Sequence, residues 1–170
     1  MIDYIDNAFP DIQRLIEVVG QHNDLQPDDQ PYYTDRLQQA IEYEPLRLFF
    51  EAYAQRTYDR IVKTYGIIDG NRHMHVDEIT HAKYPIGSAL DMHFDGYNWK
   101  AGYRVMTLLL YLSDEVEGGA TYFPMQNIKI HPKQNRLVIF PTHFWAPHES
   151  QVVTKGCKEI VQAWAYYYLD

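Results

Sequence analysis

Residues 104–112 read "RVMTLLLYL", and this run decides what kind of fold the chain can make. Only Arg104 and Thr107 interrupt its apolar character, and Tyr111 adds a hydroxyl to an otherwise greasy stretch. A short, nearly continuous apolar run fits a strand covered on both faces, not one with a wet side. Something must therefore pack above it and something below. Upstream, Ile12, Leu15, Ile16 and Val19 recur at helical spacing between Pro10 and Gly20. A second stripe holds Leu46, Phe49, Phe50 and Tyr53, continues to Ile61 and Val62, and ends at Gly66. Apolar stripes of this kind face a core. Around and after the run, short segments at 78–84, 90–95, 120–123, 127–131, 136–140, 146–153 and 158–168 read as further strands. Gly118-Gly119, Pro124, Pro132 and Pro141 punctuate them.

These pieces predict an α+β fold whose core is a double-stranded β-helix, or jelly roll, over about 75–168. A supporting helical layer over about 1–66 covers one sheet. The whole chain, 1–170, is expected to form a single domain, in keeping with its length. Within the helical part, "QHNDLQPDDQPYY" at 21–33 reads as a loop. Thr34 or Asp35 is then expected to cap a helix carrying Leu37 and Ile41. Pro45 restarts or kinks it, because proline lacks an amide donor.

Composition excludes several classes of function. The chain has 15 Lys+Arg against 23 Asp+Glu, a net charge of −8. An acidic domain without a long basic run is poorly suited to neutralising phosphates, so no nucleic-acid partner is expected. No apolar run is long enough to span a membrane, and "MIDYIDNAFP" lacks the layout of a signal peptide. With Cys157 as the one cysteine, an internal disulfide is impossible and a cytoplasmic setting is expected. The sequence specifies no oligomeric state.

Chemistry gathers in two places. In "ALDMHFDGYNWK", residues 89–100, strict alternation puts Asp91, His93 and Asp95 on one face and Met92 and Phe94 on the other. In the last strand, alternation groups Lys158, Ile160, Gln162, Trp164 and Tyr166 on one side, with Glu159, Val161, Ala163 and Ala165 opposite. The bulkier first set suits an interior. That would bury an ammonium, which needs an anion to be tolerated.

Several segments occur in an order that resembles the iron(II)- and 2-oxoglutarate-dependent oxygenases, and within them the prolyl 4-hydroxylase branch. "KYPIGSALDMHFD" holds a tyrosine upstream of His93-x-Asp95, and "RVMTLLLYLSD" is followed by "EGGATYF". "RLVIFPTHFWAPHESQVVTKGCKEIVQAW" then supplies a second histidine, a basic residue and a trailing tryptophan. The similarity covers roughly 75–168. It implies His93, Asp95 and His148 as ligands of Fe(II), leaving open positions for oxygen chemistry. It implies Lys158 on the far carboxylate of 2-oxoglutarate, with Tyr84, Tyr111 and Gln162 also on the co-substrate. O2 is the second co-substrate, and ascorbate a candidate reductant. The charges agree, since the ion's residual positive charge and the ammonium together balance a dianion.

The implied reaction hydroxylates a prolyl residue in a peptide or protein and releases succinate and CO2. Arg104, Trp164 and the loop "DGYNWKAGY" with Lys100 are expected to line the mouth. His143 competes with His148 but lies nearer the turn after Pro141, at a distance from Lys158 that does not match the family. His73 and His75, with Asp77, read as a rim loop, and Asp91 and Glu149 as bystanders. Two alternatives stand beside this reading. One is an oxygenase of the same kind acting on another side chain or a small molecule; the other is a jelly-roll module whose ligands hold a structural metal.

Overall fold

The computed structural model describes residues 1–21, 25–27, 33–34, 37–67, 72–76, 79–96 and 104–167. In chain order the elements are β1 (Asp3–Asp6), α1 (Ile12–Gln21), β2 (Gln26–Pro27), β3 (Tyr33–Thr34), β4 (Leu37–Ile41) and α2 (Glu44–Tyr65). There follow β5 (His75–Val76), β6 (Ile79–Tyr84), β7 (Ala89–His93), β8 (Arg104–Tyr111), β9 (Glu117–Gly118), β10 (Thr121–Phe123) and β11 (Ile128–Ile130). The chain continues with β12 (Arg136–Pro141), β13 (His148–Ser150), β14 (Val153–Lys155) and β15 (Lys158–Tyr166).

Two antiparallel sheets face each other in a jelly roll. The larger runs β1-β12-β8-β15-β6-β4-β2, with β5 also on β15, and the smaller runs β11-β10-β13-β7-β3. The strand 104–111 sits in the middle of the larger sheet, between β12 and β15. Its apolar run splits by parity. Leu108 and Leu110 face the helices, together with Leu15, Val19, Leu46 and Phe50. Leu109 and Tyr111 face the smaller sheet, meeting Leu90, Phe123 and Ile130. Both sides are covered, as the run of apolar residues demands. Each fully enclosed leucine or phenylalanine contributes about 1.5–3 kcal/mol.

The N-terminal third is less helical than its periodicity suggests. Leu37–Ile41, expected as a helix, is strand β4, in register with β6 from Leu37↔Lys83 to Ile41↔Ile79. A spacing of four residues fits a period of two as well as a helix, and the edge of β6 supplies backbone partners. Asp35 lies outside the described residues. β1 closes the opposite edge on β12, and β3 extends the smaller sheet beside β7. The helix α2 begins at Glu44 with Pro45 in its first turn, where no amide partner is lost. It ends at Gly66 in the left-handed conformation, φ 62°. Gly20 does not stop α1, which runs on to Gln21. The segment read as one strand over 146–153 is two: β14 leaves β13 to pair with β9.

Candidate active site

The site lies between the sheets, where β7 and β13 of the smaller sheet face β8 and β15 of the larger. His148 pairs with His93, and Ser150 with Leu90, so two steps along β13 match three along β7. This bulge breaks strict alternation. Leu90 and His93 both line the cavity, whereas Asp91 and Met92 are exposed. Asp91 therefore does not share a face with His93, contrary to the sequence reading, because parity fails where one strand carries an extra residue. Asp95 follows the end of β7. The next residue, Gly96, donates its backbone N–H to the carbonyl of Thr142 at 2.9 Å and so fixes the turn.

His93, Asp95 and His148 come together here, with one ligand atom of each within 4.8 Å of the others. Asp95 Oδ1 is 3.5 Å from His93 Nε2, and Oδ2 is 3.9 Å from His148 Nε2. Both imidazoles are aimed by backbone carbonyls. His93 Nδ1 donates to the Asp91 carbonyl at 2.7 Å, and His148 Nδ1 to that of Ala146 at 3.1 Å. Each Nε2 then keeps its lone pair for the cavity, the arrangement that makes histidine a metal ligand. Phe140 and Phe123 pack on the His148 ring at 4.6 and 5.4 Å. Burial pushes this imidazole down to about 4, despite the nearby Asp95. Burial alone would raise Asp95, but His148, His93 and the Thr107 hydroxyl that donates to Oδ2 outweigh it and keep the acid ionised. Two imidazoles and one carboxylate, with one side open to a cavity, fit a divalent first-row metal.

Lys158 closes the same cavity. It is 1% exposed, and its Nζ donates to Ser150 Oγ at 2.7 Å. The ring of Tyr84, its partner across the β15–β6 register, lies 4.8 Å below the ammonium, and that of Tyr111 5.6 Å away. Gly119 upstream makes room for this side chain: at φ 62°, it would bring a Cβ to 3.3 Å from Lys158 Cδ. A Cβ on Gly118 would instead clash with the Val152 carbonyl just before β14. Asp95 is the one carboxylate among the described residues lining the cavity, a narrow space of about 30 Å³.

The remaining expected residues divide. Tyr84, Gln162 and Trp164 line the cavity. Tyr111 is fully buried, but its hydroxyl pairs with Thr121 Oγ1 at 2.7 Å, and Thr121 is the one that reaches the cavity wall. Burial raises the Tyr111 phenol well above its ordinary value. The Arg104 guanidinium stacks 3.7 Å over the Trp164 ring, whose Nε1 is buried without a hydrogen-bond partner among the described residues. His143 stands outside the donor cluster against Trp145, and Glu149 accepts from Gln151. Asp77, Lys100 and residues 97–103 of the mouth loop lie outside the described residues, as does any contact they make with His73 and His75. Sequence reasoning missed Thr107, Thr121 and Ser150. Only the threonine inside "EGGATYF" carried any signal in advance.

A jelly roll with two imidazoles and a carboxylate at one end of its cavity and a buried ammonium at the other belongs to a definable class. The chain is a member of the 2OG-Fe(II) oxygenase superfamily, whose family model matches residues 65–166. Among proteins of similar sequence is a putative prolyl 4-hydroxylase of Acanthamoeba polyphaga mimivirus. It is 37% identical over 73 residues, covering 38% of this chain and 30% of that protein. Probable prolyl 4-hydroxylase 9 of Arabidopsis thaliana is 28% identical over 117 residues, covering 53% of this chain and 41% of that one. The chain thus spans well under half the length of these relatives. Among solved structures, a Pseudomonas putida prolyl-4-hydroxylase superposes with TM-score 0.73 at 20% identity, covering 99% of this chain and 93% of that one. A viral collagen prolyl hydroxylase from Paramecium Bursaria Chlorella virus-1, solved with 2OG, gives 0.70 at 20% identity, covering 96% and 94%. These likenesses establish the jelly-roll fold. Among the described residues no helix is long and apolar enough to cross a membrane.

Proposed function

We propose that this chain is an Fe(II)- and 2-oxoglutarate-dependent hydroxylase acting on a prolyl residue of a peptide or protein. One observation carries the reading: a His93-Asp95-His148 donor set and a buried Lys158 share one cavity. When bound, Fe(II) with 2-oxoglutarate and O2 supplies the oxidising chemistry: one oxygen atom enters the substrate C–H bond, and 2-oxoglutarate leaves as succinate and CO2. The protein supplies position. His93 and His148 present Nε2 because their Nδ1 protons are committed to backbone carbonyls, and Thr107 fixes the Asp95 carboxylate. Lys158 holds the far carboxylate of the co-substrate, and Tyr84 and Gln162 border it. Tyr111 acts at one remove, through Thr121. The apolar walls from Leu90, Leu109 and Phe140 keep water out, which strengthens the ammonium–carboxylate pairing.

The Arg104–Trp164 stack serves the substrate. A flat indole suits a pyrrolidine ring, and its unpartnered Nε1–H can donate to a peptide carbonyl. The prolyl 4-hydroxylase relatives support a peptidyl proline. So does the fold shared with a Trichoplax adhaerens prolyl hydroxylase solved with a hypoxia inducible factor peptide fragment, at TM-score 0.68 and 18% identity over 97% of this chain and 83% of that one. The test is a succinate-release screen across proline-bearing peptides. A stimulated peptide should gain about 16 Da on proline, the mass of one oxygen. Succinate release driven only by small molecules, or a mass gain on another residue, would overturn the prolyl assignment.

A further inference from the structure

We propose that Phe144 and Trp145, with Met125 beside them, form a docking surface outside the cavity for the polypeptide that carries the target residue, taking a bulky apolar side chain that flanks it. This rests on the hydroxylase reading given above and adds a selection rule to it. The segment 141–147, "PTHFWAP", is uncharged in a chain of net charge −8. Phe144 is 69% exposed, Trp145 45% and Met125 65%. The Phe144 and Trp145 rings meet edge to face at 4.9 Å, and the His143 ring packs against Trp145 at 5.0 Å. Met125 rides on the turn Pro124–Asn127, which Gln126 ties to this loop by donating Nε2–H to the Trp145 carbonyl at 2.6 Å. Large apolar side chains gathered in the open mark a surface for a partner.

Position decides the occupant, because the loop is fastened to the mouth of the site at both of its ends. Thr142 donates its hydroxyl to the Arg104 carbonyl at 2.6 Å, and Arg104 stacks on the cavity residue Trp164. His143 packs so close to Gly96, the residue after Asp95, that a Cβ there would come to 3.3 Å from Nδ1. At the other end the Ala146 carbonyl holds His148. The Ala146 N–H closes the turn on the His143 carbonyl at 2.9 Å, and Pro141 and Pro147 bracket it. The exposed rings are thus held rigidly beside the donor set, where they offer contact area at little cost in entropy. A substrate chain whose target residue reaches the donors continues past this rim, advancing about 3.3 Å per residue when extended. A side chain a few positions from the target then meets the rings. With no charge on the loop, the side chain it selects is apolar. A small molecule that ends inside the cavity gains nothing here.

The test measures succinate release by the whole chain, with Fe(II) and 2-oxoglutarate, on glycine-serine peptides that hold one proline and one leucine. The leucine is moved from four residues before the proline to four after it, with serine at the same place as the reference. At one or two positions leucine should raise kcat/KM about tenfold, through a lower KM at similar kcat. The double variant Phe144→Ser/Trp145→Ser should lose that gain, and Phe144→Ser alone should lose part of it. Tyr65→Ser, which removes an exposed ring at the end of α2, should keep it. Calorimetric titration of the Mn(II)-loaded double variant with 2-oxoglutarate checks that the site beneath is intact. A leucine preference that survives in the double variant, or no preference at any position, would overturn the docking surface. Loss of 2-oxoglutarate binding in both variants would overturn it too, reducing the rings to a support for the donor loop. So would a parent dimer that the double variant splits into monomers in sedimentation, since the rings would then belong to a second copy. If no peptide of the set is oxidised, the prolyl reading falls first and this surface with it.

Discussion

Strand β15 does different work on its two faces. Its outer residues Val161, Ala163 and Ala165 are small or branched, fully buried, and packed against the helical layer. Its inner residues Lys158, Gln162 and Trp164 are polar or amphipathic and line the cavity. The outer face is built for density, because helices must approach the sheet closely. The inner face tolerates a buried cation and an indole N–H with no hydrogen-bond partner among the described residues, features a purely structural core would not keep. Function should therefore respond to inner changes and stability to outer ones.

The largest effect belongs to the acid on the inner side. Asp95→Ala removes the only carboxylate of the donor set, so metal content and succinate release should both fall, the latter roughly a thousandfold or more. Metal analysis and turnover check this together. An alanine variant that consumes 2-oxoglutarate at the parent rate would erase the distinction between the faces. Next comes Lys158→Ala, which leaves the far carboxylate without its cation. Co-substrate affinity should drop about a hundredfold or more, as expected when a buried pair loses a partner. Thermal stability should hardly fall, because the change also removes a charge that is costly to bury. A large loss of stability with unchanged affinity would make the lysine structural.

The outer face should answer in the opposite sense. Ala163→Leu forces extra volume between β15 and the helices, where Ala163 is wholly enclosed. Overpacking of this kind costs about 1–3 kcal/mol, visible as a lower urea midpoint. Affinity for 2-oxoglutarate should stay within about twofold, since the side chain points away from the cavity. A variant that folds as stably as the parent but loses co-substrate would show that the faces are coupled through the backbone.

How much of this was legible beforehand follows the range of each signal. The apolar stripes of α1 and α2 and the central strand announce themselves locally, because burial repeats at the period of the element. His93, Asp95, His148 and Lys158 were singled out by their order along the chain, and all four line one cavity. What stayed hidden depends on partners distant in sequence. β1 and β4 exist because sheet edges elsewhere need covering, and neither carries a pattern of its own strong enough to say so. The extra residue in β7 appears only when β13 is laid beside it, and it turns Asp91 outward. Ser150 is an ordinary serine until the turn after β14 carries Lys158 back to it. The resemblance named Tyr111 for the co-substrate, yet could not reveal that its hydroxyl pairs with Thr121.

Glu159, the neighbour of Lys158, gives the smallest and sharpest contrast. It turns to the outer face, where Oε1 accepts from His81 Nε2 at 2.7 Å and lies 3.4 Å from Lys83 Nζ. Gln39 Nε2 donates to His81 Nδ1 at 3.1 Å, so the histidine bridges β4 to β15. Burial alone would raise the Glu159 carboxyl, but the His81 hydrogen bond and Lys83 outweigh it and hold it below its ordinary value. A depressed folded-state pKa adds stability that is present above the unfolded value of about 4.3 and lost as pH falls through the folded one. Glu159→Gln should therefore destabilise by about 1 kcal/mol at neutral pH, and the deficit should close as the pH drops below about 4. Urea titrations of both proteins across that range measure it. Co-substrate affinity should not move at all. If it does, the carboxylate is sensed by the ammonium one residue away through the sheet, and the two faces of β15 are not separable.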